Sequence, residues 1–272
     1  MPALDIAAAA ELIEGLTAIG MAAADAILGA RQLGGIRTKA DGSPVTAADE
    51  AADAVIRAAL VRLAPALPIV SEERTESAKT ASASERYFLV DPLDGTREFI
   101  AGRDEYTVNI AVVAGGVPAL GVIVAPALGL IWRGIVGRGA ERLGFSARQA
   151  SAPLTIKTRP RPRGGELIVA ISRSHLDART DRYVAGLPWA RRMSCGSSLK
   201  FCRLAEGSAD LYPRLAPTRD WDVAAGHAIL VAAGGRVVDP NGAALVYGSA
   251  DLRIPAFLAC GDPALADNAI KG

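Results

Sequence analysis

The chain predicts a mixed α/β (α+β) protein built as two packed α/β units. Three observations carry that expectation. Helical and strand-length apolar runs alternate in both halves of the sequence. The chain has 272 residues and half of them are apolar, which is enough for a sizeable core. Composition then changes abruptly at 155–166, "TIKTRPRPRGGE", where four cations, two prolines and two glycines mark a connector. The expected units are therefore residues 1–154 and 155–272.

At the N-terminal end, "LDIAAAAELIEGLTAIGMAAADAIL" reads as an amphipathic, Ala-rich helix over about 4–30. It carries Asp5, Glu11 and Glu14 but no Lys or Arg before Arg31, the wrong charge for a secretory leader. A turn region with "KADGSP" precedes a second helix over about 46–63 and a strand in "PIVSEE". A polar loop over 74–86 leads to Tyr87-Phe88-Leu89-Val90, a strand end. That strand runs into "VDPLDGTREF". Asp suits the first position of a β-turn and Pro the second, so Asp91 and Asp94 stand at the ends of a tight turn, within about 7 Å at Cα. "TREFI" then opens a helix.

Residues 107–132 carry no charge, a length that can span a bilayer. Turn signals at Gly115-Gly116-Val117-Pro118 and around Pro126 cut the run into strand-length, β-branched pieces. The expectation is a buried antiparallel meander and no transmembrane segment. Beyond the connector, "ELIVAISRSH" is a strand entering a polar loop. "GSSLKFCRLAEGSADLYPR" is a helix followed by a strand. "WDVAAGHAILVAAGG" is a helix stopping at Gly234-Gly235.

Net charge is +1, and the basic connector has no interleaved aromatics, so nucleic acid is not an expected partner. Cys195, Cys202 and Cys260 form no CxxC pair, and two histidines argue against zinc. A reduced, cytoplasmic setting fits, with peripheral association at the inner membrane left open.

The acids carry the chemistry. Two carboxylates aimed at one sheltered point repel unless a proton or cation lies between them. Hard oxygen ligands favour Mg²⁺, Mn²⁺ or Ca²⁺. Glu72 and Glu73 come directly after a strand, as Asp91 does. Asp222 sits in a good N-cap position, and Asp49 begins a helix. Singly, each is a turn or helix-end residue. Together they can form an oxygen cage for two or three metals, suited to phosphoryl chemistry. Thr96, after Gly95 at a helix start, offers backbone N–H groups to a phosphate.

"DPLDGTREF", with "SEE" upstream and "WDVAAGHAIL" downstream, resembles the Mg²⁺-dependent, lithium-sensitive inositol monophosphatase superfamily over nearly the whole chain. "KADGSPVTAAD", "ISRSH", "GSSLKFCRLAEG" and "LYPR" look most like its 3'(2'),5'-bisphosphate nucleotidases of CysQ type. The resemblance implies a layered αβαβα sandwich of the sugar-phosphatase type. It also implies two or three Mg²⁺ held by Glu72, Asp91, the carbonyl of Leu93, Asp94 and Asp222, with Glu73 a neighbour of unassigned role. Asp49 and Thr96 would orient and deprotonate the attacking water. Gly95 and Thr96 would hold the scissile phosphate, and Ser197, Ser198, Lys200 and Arg214 would contact the nucleotide. Arg97 stands where relatives often carry lysine, a cation either way.

The implied reaction removes the 3'-phosphate of adenosine 3',5'-bisphosphate, a by-product of sulfate assimilation, giving AMP and phosphate. The alternative is the same chemistry on inositol monophosphate or a sugar phosphate. "GSSLK" and "YPR" favour the nucleotide, because they would line the leaving-group side. A non-catalytic phosphate- or metal-binding regulator would need a broken cage, and every matched acid is present. Oligomeric state is not indicated.

Overall fold

Two long helices cover one face of an antiparallel sheet. The computed structural model describes residues 6–31, 35–39, 42–74, 77–162, 164–187 and 189–269; Ala40 and Asp41 of the "KADGSP" turn lie outside the described residues. The first half runs α1 (Ile6–Ala30), β1 (Arg37–Thr38), β2 (Pro44–Val45), α2 (Ala47–Leu63), β3 (Ile69–Ser71), α3 (Ser77–Ala83), β4 (Arg86–Asp94), α4 (Thr96–Ile100), β5 (Thr107–Ala114), β6 (Val117–Ala125), β7 (Leu130–Ile135), β8 (Gly139–Ser146), β9 (Gln149–Ala150) and β10 (Leu154–Ile156). The second runs β11 (Leu167–Ser172), α5 (Ala178–Ala185), β12 (Ala190–Cys195), α6 (Leu199–Ala205), β13 (Leu211–Arg214), β14 (Thr218–Arg219), α7 (Asp220–Ala232), β15 (Arg236–Val238), β16 (Arg253–Ile254), β17 (Phe257–Cys260) and α8 (Pro263–Ala269).

The first sheet has the order β10-β8-β7-β6-β5-β4-β3, with β9 paired to β8. Its pairs are antiparallel except β3 with β4. The second has the order β12-β11-β13-β17-β15, parallel at β12-β11-β13 and antiparallel beyond. Helices α1 and α2 cover one face of the first sheet, α6 and α7 fill the space between the sheets, and α5 and α8 cover the far face of the second. This is the expected αβαβα sandwich.

Three apolar cores join the five layers, the middle one spanning both faces of the α6-α7 layer. Along β4 the pleat alternates: Phe88 and Val90 face α1 and α2, while Tyr87 and Leu89 face α7. The uncharged run 107–132 forms β5, β6 and the start of β7, at the middle of the sheet. A strand covered on both faces needs no polar alternation, which is why the run reads as continuous apolar sequence. Helix α1 is itself long and apolar enough to cross a membrane by length and composition; half of its apolar window is buried here.

Helix α7 lies directly on the sheet. A Cβ on Gly121 of β6 would come within 2.8 Å of the Ala225 Cα, and one on Gly134 of β7 within 3.0 Å of the Ile229 Cα. On the other side of the helix, a Cβ on Gly226 would lie 2.6 Å from the Phe201 Cβ. Glycine is used here for close approach.

Three local expectations need correction. The polar loop over 74–86 contains a helical segment, α3, which shows no apolar period in the sequence. Asp91 and Asp94 do not end their strand in a turn: β4 continues through Asp94 and shifts register between the two, Asp91 facing Asn109 and Asp94 facing Thr107. Asp222 is not an N-cap but the third residue of α7, because the helix starts earlier, after Arg219. The connector begins with β10, which still belongs to the first sheet. Past it, Arg159 makes a two-pronged ion pair with the buried carboxylate of Asp210 at 2.7 Å, so the chain is pinned as it leaves.

Candidate active site

Parallel pairing of β3 with β4 brings the first acids together. Ser71 lies opposite Val90, and the Glu72 N–H donates to the Val90 carbonyl at 3.1 Å, so Glu72 emerges beside Asp91. Asp222 arrives from the first turn of α7, where its Oδ2 accepts from the Thr218 hydroxyl and, at 3.2 Å, from the Arg219 N–H. Glu72, Asp91 and Asp222 each present an oxygen, and these oxygens lie within 4.8 Å of one another.

Such crowding shifts protons. Burial, then the charges of Glu72, Asp94 and Asp222, pushes the Asp91 carboxyl well above the usual carboxylate range. Burial raises Glu72 to about 7, opposed by the Lys39 ammonium and reinforced by Asp222. Asp94 rises to about 6 through burial and the charge of Asp222, against the pull of Lys200 and the hydrogen bonds of Ser197 and Ser198. Lys39 bridges Glu72 and Glu73 at 2.8 and 2.7 Å. Burial works to lower its pKa, but the two carboxylates outweigh that and raise it.

Asp94 joins the acids to the second half of the chain. Its Oδ2 accepts from the Ser198 N–H at 2.7 Å and the Ser197 hydroxyl at 2.9 Å. Thr107, Asn109 and Ser198 close a buried hydroxyl network behind it. Asp49 is the third residue of α2. Its Oδ2 accepts from the Thr46 N–H and hydroxyl at 2.8 and 2.6 Å, which completes a capping box. Its other oxygen, Oδ1, faces the Thr96 hydroxyl at 3.1 Å, and Leu93 O lies 3.2 Å from the same hydroxyl. Gly95, at φ 90°, lets the chain turn from β4 into α4.

These residues open on one cavity of about 340 Å³. Glu72, Asp91, Leu93, Asp94, Gly95, Thr96, Ser197, Ser198, Lys200, Arg214 and Asp222 all line it; Asp49 stands behind Thr96. The same cavity is also lined by the cations Lys200, Arg214 and Arg97, and by His175, whose pKa burial and the neighbouring Arg97 and Arg214 push down. Arg214 Nε is buried and has no hydrogen-bond partner among the described residues. Sequence reasoning missed Lys39, His175, Tyr212, Arg219 and Trp221, which line the same cavity. His175 and Tyr212 sit inside "ISRSH" and "LYPR", motifs singled out without assigning those side chains.

A five-layer sandwich with a buried cluster of hard oxygen donors in a cavity also lined by cations defines the class of metal-dependent phosphatases. The donor set fits a small divalent cation: three carboxylates lie close together, and burial among like charges raises the pKa of two of them, Glu72 and Asp91. The chain matches the inositol monophosphatase family over residues 7–270 and belongs to it. It is 45% identical over 216 residues to the 3'(2'),5'-bisphosphate nucleotidase CysQ of Shigella flexneri, covering 77% of this chain and 82% of that one. It is 33% identical over 202 residues to inositol monophosphatase 2 of Solanum lycopersicum, covering 73% and 75%. Among solved structures, CysQ from Bacteroides thetaiotaomicron superposes with a TM-score of 0.78 at 34% identity, covering 90% of this chain and 96% of that one.

Proposed function

We propose that this enzyme removes the 3'-phosphate of adenosine 3',5'-bisphosphate, giving AMP and inorganic phosphate. The observation that carries this reading is a cavity lined by Lys200 and Arg214 as well as by the acids, with the Arg214 Nε buried and without a hydrogen-bond partner among the described residues. A buried donor without an acceptor is costly, and a second phosphate on the leaving group would satisfy it. A polyol monophosphate brings no such group. The similarity to CysQ nucleotidases supports the same substrate.

Glu72, Asp91, the Leu93 carbonyl, Asp94 and Asp222 would hold two or three Mg²⁺. Bound Mg²⁺ supplies charge neutralisation on the phosphoryl oxygens and lowers the pKa of water. The chain's own groups supply the rest. Asp49 accepts the Thr96 hydroxyl proton, which turns a Thr96 lone pair toward the attacking water as its proton acceptor. Backbone N–H groups at Gly95 and Thr96 orient the scissile phosphate. Ser197, Ser198, Lys200 and Arg214 hold the nucleotide and so orient the scissile phosphate toward the acids. Residues 1–154 and 155–272 act as the two units: the first brings Asp49, Glu72, Asp91, Asp94 and Thr96, and the second brings Asp222 with the nucleotide side. A cytoplasmic setting belongs to the same proposal; the described residues give no support for attachment to the inner membrane.

The test is phosphate release, with and without Mg²⁺, from adenosine 3',5'-bisphosphate, its 2',5' isomer, phosphoadenosine phosphosulfate and inositol 1-phosphate. The expected result is Mg²⁺-dependent release with the highest kcat/KM on a bisphosphate nucleotide. A kcat/KM on inositol 1-phosphate that equals or exceeds it would replace this reading with that of an inositol or sugar phosphatase.

A further inference from the structure

Glu105 lies outside the cavity, yet the two loops that shape the cavity meet on it. Its backbone carbonyl fills the space beside two glycines: a Cβ on Gly95 would come within 3.1 Å of this oxygen, and one on Gly196 within 2.6 Å. Its side chain then fastens the second loop. Glu105 Oε2 accepts from the Gly196 N–H at 2.9 Å and from Arg173 Nε at 2.6 Å, while Oε1 accepts from Arg173 Nη2 at 2.9 Å. Arg173 in turn donates from Nη2 to the Ser194 carbonyl and from its backbone to the Cys195 carbonyl, at 3.0 and 3.1 Å. A carboxylate from the first unit thus grips Gly196 directly and Ser194 through one guanidinium, while the Arg173 backbone pairs with Cys195 between them.

The residue after Gly196 needs such support. Ser197 has φ 52°, a left-handed conformation that a residue with a Cβ adopts at a cost. Its hydroxyl and the next N–H both point at Asp94, and its carbonyl takes the Lys200 ammonium. The strain therefore aims Ser197, Ser198 and Lys200 into the cavity. Burial opposes ionisation of Glu105, but Arg173 and the Gly196 N–H outweigh it and hold the carboxyl below its ordinary range.

From this geometry we infer that Glu105, with Arg173, is a positioning pair that sets the distance between the Gly95-Thr96 turn and the Gly196-Ser197-Ser198 loop, and thereby the preference for a leaving group carrying a second phosphate. This rests on the substrate proposed above. The Asp94 backbone is held by strand pairing with Thr107, while its carboxylate also takes hydrogen bonds from Ser197 and Ser198, so loosening the loop should touch the acidic half less than the nucleotide side.

The experiment compares wild type, Glu105→Ala and Glu105→Gln, all as full-length Mg²⁺-loaded protein. Amide exchange over residues 195–199, without substrate, reads the loop directly. Initial rates on adenosine 3',5'-bisphosphate and on p-nitrophenyl phosphate read discrimination. Glu105→Ala should speed loop exchange by roughly tenfold while other core amides keep their protection. It should raise KM for the bisphosphate about tenfold and change kcat/KM on the small ester by less than about threefold. Glu105→Gln keeps an acceptor for the Gly196 N–H and should fall between the two. Unchanged loop exchange in Glu105→Ala, or equal losses on both substrates, would overturn the inference. If Glu105→Ala does not fold, Glu105→Gln decides by the same two readings. A wild type that does not favour the bisphosphate would sink the substrate proposal instead, and loop exchange would still decide the positioning role.

Discussion

Lys39 Nζ lies 2.8 Å from Glu72 Oε1, so a lysine occupies the flank of a carboxylate proposed above as a metal ligand. The same ammonium reaches Glu73 at 2.7 Å. The pair is part-buried, so its charge is felt beyond what a solvent-exposed ion pair would give.

A cation entering the cluster competes with that lysine. Lys39→Gln should therefore tighten Mg²⁺ binding, lowering the concentration for half-maximal activity by about three- to tenfold. Calorimetric titration of the substrate-free protein checks it. Weaker Mg²⁺ binding in the variant would show that Lys39 orders Glu72 rather than competing for it.

The pH dependence of stability has a definite sign. In the metal-free protein Glu72 titrates at about 7 and Asp94 at about 6, with Asp91 also raised, all through burial among like charges. In the unfolded chain such groups titrate near 4. The folded protein thus binds more protons in that interval. The stability linked to those protons is fully present below about pH 4 and lost as pH rises through about 6 to 7. Asp220, raised by burial to about 6, adds in the same direction. In EDTA, Tm should fall by about 5 °C or more between pH 5 and pH 8. Saturating Mg²⁺, which binds the ionised carboxylates, should stabilise more at pH 8 than at pH 5. Scanning fluorimetry at four pH values measures both; a Tm in EDTA that climbs over this range would refute the raised-acid picture.

Thr96→Ala removes the hydroxyl that Asp49 faces. It should lower kcat by about 100-fold or more with KM little changed, as for a group acting on the reacting water. Asp94→Asn keeps shape and relieves repulsion, so it should lose most activity without losing stability. Steady-state rates and melting curves on both variants decide. Wild-type kcat in the first would make Thr96 structural, and wild-type turnover in the second would remove Asp94 from the metal site.

Lys200→Ala should separate substrate preference from metal chemistry. Lys200 is buried, donates to the Ser197 carbonyl and lies over the Tyr212 ring, 5.2 Å from its centroid. Loss of a charge-assisted contact worth roughly 1.5–3 kcal/mol should reduce kcat/KM on adenosine 3',5'-bisphosphate by about 10- to 150-fold. Inositol 1-phosphate should suffer much less. Inhibition by Li⁺, typical of this family, should be uncompetitive or mixed and should persist in the variant. Equal losses on both substrates would assign Lys200 to the fold.

Much of the fold and site was legible in sequence because its carriers are local. "SEE", "DPLDGT" and "WD" each put an acid where a strand ends or a helix begins, and residue type alone marks the strands between them. The helix register of Asp222 was not legible, because Arg219 at the N-cap is no capping residue and gives no boundary signal. Nor was the bulge in β4, where Pro92 reads as turn chemistry while the partner strand holds the backbone extended. Lys39 with Glu72, and Glu105 with Arg173, join residues 33 and 68 apart, and a single sequence carries no mark of which distant charges will meet.

The glycine contacts under α7 bear on how such an enzyme diversifies. A helix seated on Gly121 and Gly134 with Phe201 against Gly226 has no side-chain cushion through which to slide or tilt, so mutations nearby either preserve the placement of Asp222 or abolish it. The other residues lining the cavity hang instead on loops, short strands and short helices, at His175, Ser197, Arg214, Arg97 and Lys200. Lineages can therefore drift in leaving-group taste while inheriting cation dependence unaltered, and directed evolution aimed at new phosphate esters should find its productive changes among those residues and few on α7.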